Sequence, residues 1–279
     1  MNLGLPSFVW NVDPVLANLG GYPLRWYVVC LYVTLCVGFM LFSWQLRRGG
    51  GDLEEVGDFL AYACFALLFG ARLGHALFYD FDKAIEDPAW VFRFWTGGTA
   101  SHGALLGLGL AMYWFTRRRA IPFLEGSDRL SFAVAFGAIS CRVGNLFNSE
   151  IVGKPTDGSW GMRFPRFELP SSYAPLRYPT QIYEILLGTV VLALLLVCDA
   201  AWGRERRPRG ALTGALLTSY FVGRFAVEFW KDPQGETFGT LDMGQVLSVP
   251  FIAVGIALLW RSLRKRRPAG WIVGLGERV

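Results

Sequence analysis

The chain has 279 residues, of which 53% are hydrophobic and 15% aromatic, and it carries a formal net charge of +5. A soluble domain balances apolar and charged residues differently, so lipid is the natural solvent for most of this chain. Its basic residues sit in short segments beside apolar runs, which accounts for the positive charge without a nucleic-acid partner.

Met1 to Gly21 carry Asp13 but neither Lys nor Arg, and no small-residue cleavage site follows the first apolar run. The first span is therefore expected to stay in the protein. Apolar stretches of roughly twenty residues, about the length that crosses a hydrocarbon core of about 30 Å, recur along the chain and, with one shorter run, predict about seven transmembrane helices. They are Leu24 to Leu46, Val56 to Phe78, the shorter Gly103 to Phe115, Leu130 to Phe147, Gln181 to Ala200, Ala211 to Trp230, and Val246 to Leu263. Basic clusters follow alternate segments: Arg47 and Arg48; Arg117 to Arg119; Arg204, Arg206, Arg207 and Arg209; and Arg261 with Arg264 to Arg267. The positive-inside rule makes these ends cytoplasmic, with the N-terminus outside and the C-terminus inside.

The outer side then receives the N-terminal segment, Tyr79 to Ser101, Ser149 to Tyr178 and Lys231 to Leu241. The predicted fold is an all-α integral membrane protein. Its polytopic membrane domain covers residues 1–263, a small outer head at 149–178 is inserted between the fourth and fifth spans, and a basic cytoplasmic tail occupies 264–279. Cys30, Cys36, Cys64, Cys141 and Cys198 all fall in apolar segments without paired spacing, and are read as packing residues.

Arg72, Arg142, Arg224, Glu184 and Glu228 interrupt apolar runs. An arginine near the bilayer centre costs on the order of 2.5–3.5 kcal/mol, so each needs a reason. Arg72 is open to snorkelling or a purely structural pairing as well as a functional role. Tyr220, Arg224 and Glu228 follow one another at i, i+4, placing a phenol, a guanidinium and a carboxylate on one helix face. Arg142, Gly144, Asn145, Asn148 and Glu150 crowd polar groups and a glycine into the outer end of the fourth span.

Of the two histidines, His75 and His102, the second lies in the glycine-containing stretch Gly97 to Gly103 at a span boundary, where a ligand can approach closely. So few histidines, with no clustered acidic motif, argue against a zinc or magnesium site, and neither metal nor cofactor is expected. There is no Gly-x-Ser-x-Gly elbow, and Ser101 and His102 are adjacent and diverge on any regular element. A covalent nucleophile of the protein's own is not found; in an enzyme, a substrate would supply it.

The run Arg142-Val143-Gly144-Asn145-Leu146-Phe147-Asn148-Ser149-Glu150-Ile151-Val152-Gly153 resembles the signature of the prolipoprotein diacylglyceryl transferases, Arg-x-Gly-Asn-Phe-x-Asn-x-Glu-x-x-Gly, with leucine at the phenylalanine position. Further matches follow in the family's order: Asp13-Pro14, Trp26-Tyr27, Gly70 to Gly74, His102-Gly103, Pro179 to Glu184, Tyr220 through Arg224 to Glu228, and Met243-Gly244-Gln245. The resemblance runs from about Phe8 to Arg261. Three positions depart from it: Ala104 replaces the second glycine of His-Gly-Gly, Tyr178 a histidine and Cys141 a glycine. The change at Tyr178 removes a second histidine and throws weight on His102.

The resemblance implies a seven-span inner-membrane enzyme with a periplasmic head. Its reaction moves the diacylglyceryl group of phosphatidylglycerol to the lipobox cysteine of a prolipoprotein signal peptide, so phosphatidylglycerol, prolipoprotein and membrane lipid are the implied partners. A thiol with a pKa of about 8.5 must be deprotonated to attack, which makes His102 the implied base. Arg142 and Arg224 are the implied catalytic donors to the phosphate leaving group. Tyr27, Asn145, Glu150, Gly153, Tyr220 and Glu228 are the implied substrate-binding residues, with Arg72 a further candidate. Rival readings are an anion transporter, another phospholipid-using transferase, and an inactive relative that binds lipid. The first lacks two-half symmetry in the sequence and the second its acidic metal motif; the departures at Ala104 and Tyr178 keep the third open.

Overall fold

The computed structural model describes residues 8–93, 98, 100–156, 160–168, 174–233, 237–238 and 241–265. In chain order its principal elements are β1 (Phe8–Val9), β2 (Val15–Leu19), β3 (Tyr22–Arg25), α1 (Trp26–Arg48), α2 (Leu53–Phe78), α3 (Phe81–Glu86), α4 (Ser101–Arg118), α5 (Phe123–Phe147), β4 (Met162–Arg163), β5 (Leu176–Arg177), α6 (Thr180–Ala201), α7 (Ala211–Val227), β6 (Thr237–Phe238), β7 (Leu241–Asp242) and α8 (Met243–Lys265).

Each expected span falls on one of the long helices, and the chain is an all-α membrane protein. Trp26–Arg48, Glu54–Phe78, Phe123–Phe147, Thr180–Ala201 and Met243–Arg264 are the five helices, among the described residues, long and apolar enough to cross a membrane. The other two expected spans, α4 and α7, are 18 and 17 residues long and do not reach that standard. At 1.5 Å per residue they run about 25–27 Å. Glycines and terminal arginines dilute the apolar character of α4, and α7 tightens into a 3₁₀ turn at Glu228–Trp230. Gly97, Thr99 and the tail from position 266 onward lie outside the described residues.

The chain divides into two compact units, Met1–Gly38 with Phe132–Cys198 and Ala215–Ile256, and Phe39–Ser131 with Asp199–Gly214 and Ala257–Val279. In the first, β4 pairs in parallel with β1 and antiparallel with β5. Leu146, Val152, Met162 and Phe164 form a buried cluster with Trp10, Ile182 and Ile185 packed against it. The strands Met162–Arg163 and Leu176–Arg177, which the reading of the sequence did not anticipate, are thus joined by Phe8–Val9, far away in sequence. A second hairpin, β2–β3, turns at Gly20-Gly21 and leads directly into α1, whose Trp26 amide donates to the Pro14 carbonyl at 3.0 Å.

In the second unit α2 begins with a capping box: the Asp52 carboxylate accepts from the Glu55 amide at 3.0 Å while Glu55 accepts from the Asp52 amide. The helix packs closely on α4. A Cβ on Gly103 would collide with the Gly70 carbonyl and the Gly74 Cα, so backbone meets backbone here as at small-residue crossings in membranes. Arg72 is buried on α2; it donates to the carbonyls of Trp90 at 2.8 Å, Val91 at 3.1 Å and Gly98 at 3.3 Å, and its guanidinium lies 4.1 Å from the Trp90 ring centroid. It ties the segment after α3 to the helix, which is the structural role its sequence context left open.

Arg207, one of the arginines that read as orientation signals, is interior, as is Arg129. Arg129 and Arg207 are buried among Glu125, Asp199 and Glu205, with Arg48 2.7 Å from Asp199. Burial by itself would raise the Glu205 carboxyl; the hydrogen bond and charge of Arg129, with Arg207 and Arg48, outweigh it and hold Glu205 below its ordinary range. Beside this network the buried Asp128 accepts from the backbone amides of Gly210 at 2.7 Å and Thr213 at 2.8 Å, capping α7 from another helix. Asp128→Ala removes that cap and strands two amides; thermal unfolding in detergent should show a loss of about 2 kcal/mol or more, and an unchanged melting temperature would contradict the capping role.

Candidate active site

The first unit gathers most of the polar residues singled out from the sequence. Arg142 is carried by the C-terminal third of α5, Glu184 by the second turn of α6, Arg224 by the end of α7, and Glu228 by the following 3₁₀ turn. Glu184, only 2% exposed, is the centre. It pairs with Nε of Arg142, lies 3.4 Å from Nη1 of Arg224, and lies 3.1 Å from Nζ of Lys231. Glu228 completes the group, with Oε2 3.5 Å from Lys231 and 4.0 Å from Arg224. The i, i+4 pair Arg224–Glu228 expected from spacing exists, but Glu184 is the closer carboxylate and the stronger orienting partner of both arginines.

A polar chain leads away from Arg142. Its Nη1 donates to Asn145 Oδ1 at 3.0 Å, and Asn145 Nδ2 donates to Glu150 at 2.7 Å; Asn148 reaches the same Glu150 oxygen at 3.3 Å. Glu150 sits just past α5, where the helix closes with a Schellman motif: the Glu150 amide donates to Asn145 O and the Ser149 amide to Leu146 O, both at 3.0 Å. Ser149 and Ile151 flank it at φ of +52° and +58°, a conformation that disfavours a β-branched side chain. Two bonds from the start of α6 hold this strained turn, Thr180 Oγ1 to the Ile151 carbonyl at 3.1 Å and Gln181 Nε2 to the Glu150 carbonyl at 2.9 Å.

Tyr27 enters from α1, its hydroxyl 3.9 Å from Cys141 Sγ and its ring against Gly144, where a Cβ would come within 2.7 Å of Cδ2. Tyr220, one turn before Arg224, feels the charges of Arg224, Arg142 and Glu184. Gly153 has a different place. Its amide donates to the Tyr178 carbonyl and its own carbonyl accepts from Arg177, both at 3.0 Å, and a Cβ there would sit 2.7 Å from the Trp230 carbonyl. Both backbone groups are engaged, so this glycine shapes the wall of the unit.

His102 and Arg72 belong to the second unit, where His102 occupies the first turn of α4 and is 2% exposed. Glu184, Lys231 and Gln181 are the residues that the reading of the sequence did not assign to the site. Glu184 had signalled itself as a carboxylate in the apolar run after Gln181. Lys231 had only its i, i+3 spacing from Glu228. Together these side chains form a buried, cation-rich cluster with a carboxylate and amide edge, which suits an anionic group bearing hydroxyls.

Residues 14–261 match the family described as prolipoprotein diacylglyceryl transferase. The chain is 36% identical over 267 residues to the phosphatidylglycerol–prolipoprotein diacylglyceryl transferase of Pseudoalteromonas atlantica, covering 93% of this chain and 92% of that protein. It is 37% identical over 264 residues to the protein of the same name from Methylococcus capsulatus, covering 91% and 97%, and 35% identical over 264 residues to that of Aeromonas salmonicida, covering 91% and 92%. With a match over nearly the whole length and the signature residues assembled around one buried cluster, this chain belongs to the prolipoprotein diacylglyceryl transferase family.

Proposed function

We propose that this protein transfers the diacylglyceryl group of phosphatidylglycerol to the lipobox cysteine of prolipoproteins in the bacterial inner membrane, with its N-terminus periplasmic and its C-terminus cytoplasmic. The observation that carries the reading is the pair of buried arginines, Arg142 and Arg224, held by one shared carboxylate, Glu184. Guanidinium stays charged in a low-dielectric site and can grip phosphate oxygens through two donors.

In the reaction the thiolate attacks the glycerol carbon bonded to the phosphate oxygen. The carbon–sulfur bond forms, the carbon–oxygen bond breaks, and its electron pair leaves on glycerol phosphate. A phosphodiester monoanion thereby becomes a monoester approaching a dianion, and the arginines stabilise the charge that develops. Asn145 and Glu150, joined at 2.7 Å, suit the headgroup hydroxyls, and Tyr27 and Tyr220 suit donation to phosphate or closure of the pocket. Glu228 helps to hold Arg224 and Lys231. The imidazole of His102 is suited to accept the thiol proton, which passes finally to the released phosphate.

The test is transfer of labelled diacylglyceryl from phosphatidylglycerol to a lipobox peptide by the purified full-length protein in detergent. The parent should give a thioether-linked product, and His102→Ala, folded as judged by its melting temperature, should be slower by about a hundredfold or more. A well-folded parent that forms no product across a range of lipid conditions would refute the proposed activity, and an unimpaired His102→Ala would remove the base assignment alone.

A further inference from the structure

In the half of the cluster around Glu184 the cations outnumber the carboxylates, the third carboxylate, Glu150, standing off behind Asn145. Three cations, Arg142, Arg224 and Lys231, converge on two carboxylates, Glu184 and Glu228. An arginine keeps its proton at any pH a protein tolerates, whereas a buried lysine gives it up far more readily. The one cation of the three able to change its charge is therefore Lys231.

We propose that Lys231 is the proton-linked cation of the phosphate site, taking up a proton as the phosphodiester headgroup enters and releasing it when the site empties. The inference rests on the reading of this cluster as the headgroup site. Lys231 is 3% exposed, and its position is fixed by its neighbours: its amide donates to the Glu228 carbonyl at 3.1 Å, it bridges to Gly153, and the next amide, Lys154's on the facing segment, donates to the Trp230 carbonyl at 2.9 Å. Among the described residues, four charged side chains act on it most strongly. Glu184 faces it from α6 and Glu228 from the 3₁₀ turn, both attractive; Arg224 from α7 and Arg142 from α5 are repulsive. Asp232, next in the chain, is engaged by Arg177 at 3.2 Å.

Burial pushes the Lys231 ammonium below its ordinary range; Glu184 pulls it back up, and the two arginines press it down further. An incoming anion adds an attractive charge beside Nζ, which raises the proton affinity of the lysine, so binding and proton uptake are linked. The cluster also retains a donor suited to such a guest, since Nε of Arg224 is buried without a hydrogen-bond partner among the described residues. The sign follows from the direction of the shift. In the empty site Lys231 loses its proton at a lower pH than an exposed lysine would, so affinity for the anion is full on the acid side and falls as pH rises through that range.

A phosphodiester has no second ionisation, so the pH dependence of lipid affinity reports the protein alone. The experiment measures binding of dioctanoyl phosphatidylglycerol to the full-length protein in detergent, from about pH 6 to about pH 10. For the parent, affinity should decline on the alkaline side with a slope approaching about tenfold per pH unit. Lys231→Arg should bind with a flat profile, and Lys231→Met should bind weakly with a flat profile. Melting temperatures without lipid establish that each variant is folded, and Lys231→Arg alone suffices for the test if Lys231→Met is not. A flat parent profile, or an alkaline decline that persists in Lys231→Arg, overturns the role of Lys231. A parent that binds the lipid at no pH overturns the headgroup-site reading itself, and with it this inference.

Discussion

Arg142→Ala is expected to lower the transfer rate by about a hundred- to a thousandfold, corresponding to roughly 2.7–4 kcal/mol of lost transition-state stabilisation. Arg142 joins the two halves of the cluster: Nε engages Glu184 while Nη1 donates to Asn145, which in turn holds Glu150. Its removal takes away a donor to the leaving phosphate and frees the Asn145–Glu150 edge at the same time. Arg142→Lys keeps the charge but loses the planar fork, so it should fall between parent and alanine. Single-turnover rates at saturating lipid separate the chemical step from weakened binding. A rate within a few-fold of the parent in a folded Arg142→Ala would place the phosphate elsewhere.

Glu184→Gln should have the largest effect on stability. The substitution preserves shape but leaves Arg142, Arg224 and Lys231 facing the single carboxylate Glu228 in a buried environment. Breaking a buried ion cluster from one side costs about 3–5 kcal/mol, because the stranded charges no longer have compensation for their desolvation. The melting temperature in detergent should fall accordingly, and transfer should fall with it as both guanidiniums lose their orientation. With melting measured on the acid side, where Lys231 keeps its proton, adding Lys231→Met to Glu184→Gln removes one of the stranded cations, so the double variant should be more stable than Glu184→Gln alone. Additive losses, or a Glu184→Gln variant as stable as the parent, would show that the cluster is not held by this carboxylate.

The two outcomes separate roles that the sequence leaves merged. Arg142, Glu184, Arg224 and Glu228 all announce themselves in the same way, as ionisable residues inside apolar runs. Periodicity relates only residues on one helix, which is why Tyr220, Arg224 and Glu228 could be grouped in advance. Glu184 lies on α6 and has no such relation to Arg142 on α5 or Arg224 on α7. Gly153 shows the opposite case. It belongs to the signature run beside Glu150, yet its amide and carbonyl are taken up by Tyr178 and Arg177.

The sequence by itself determined the solvent, the position of the long helices, the signature run and the family, because burial of apolar surface in lipid and short-range spacing are local properties of the chain. Tertiary structure decided the rest. It made Glu184 the shared partner of two arginines and Lys231 their third neighbour, recruited Phe8–Val9 into the three-stranded sheet, and placed Arg129 and Arg207 in a buried network. It also gave Arg72 its carbonyl partners and Asp128 the amides of α7. In each case the partners come from segments separated along the chain. A buried charge must find compensation wherever packing supplies it, and that location is a property of the folded helices together.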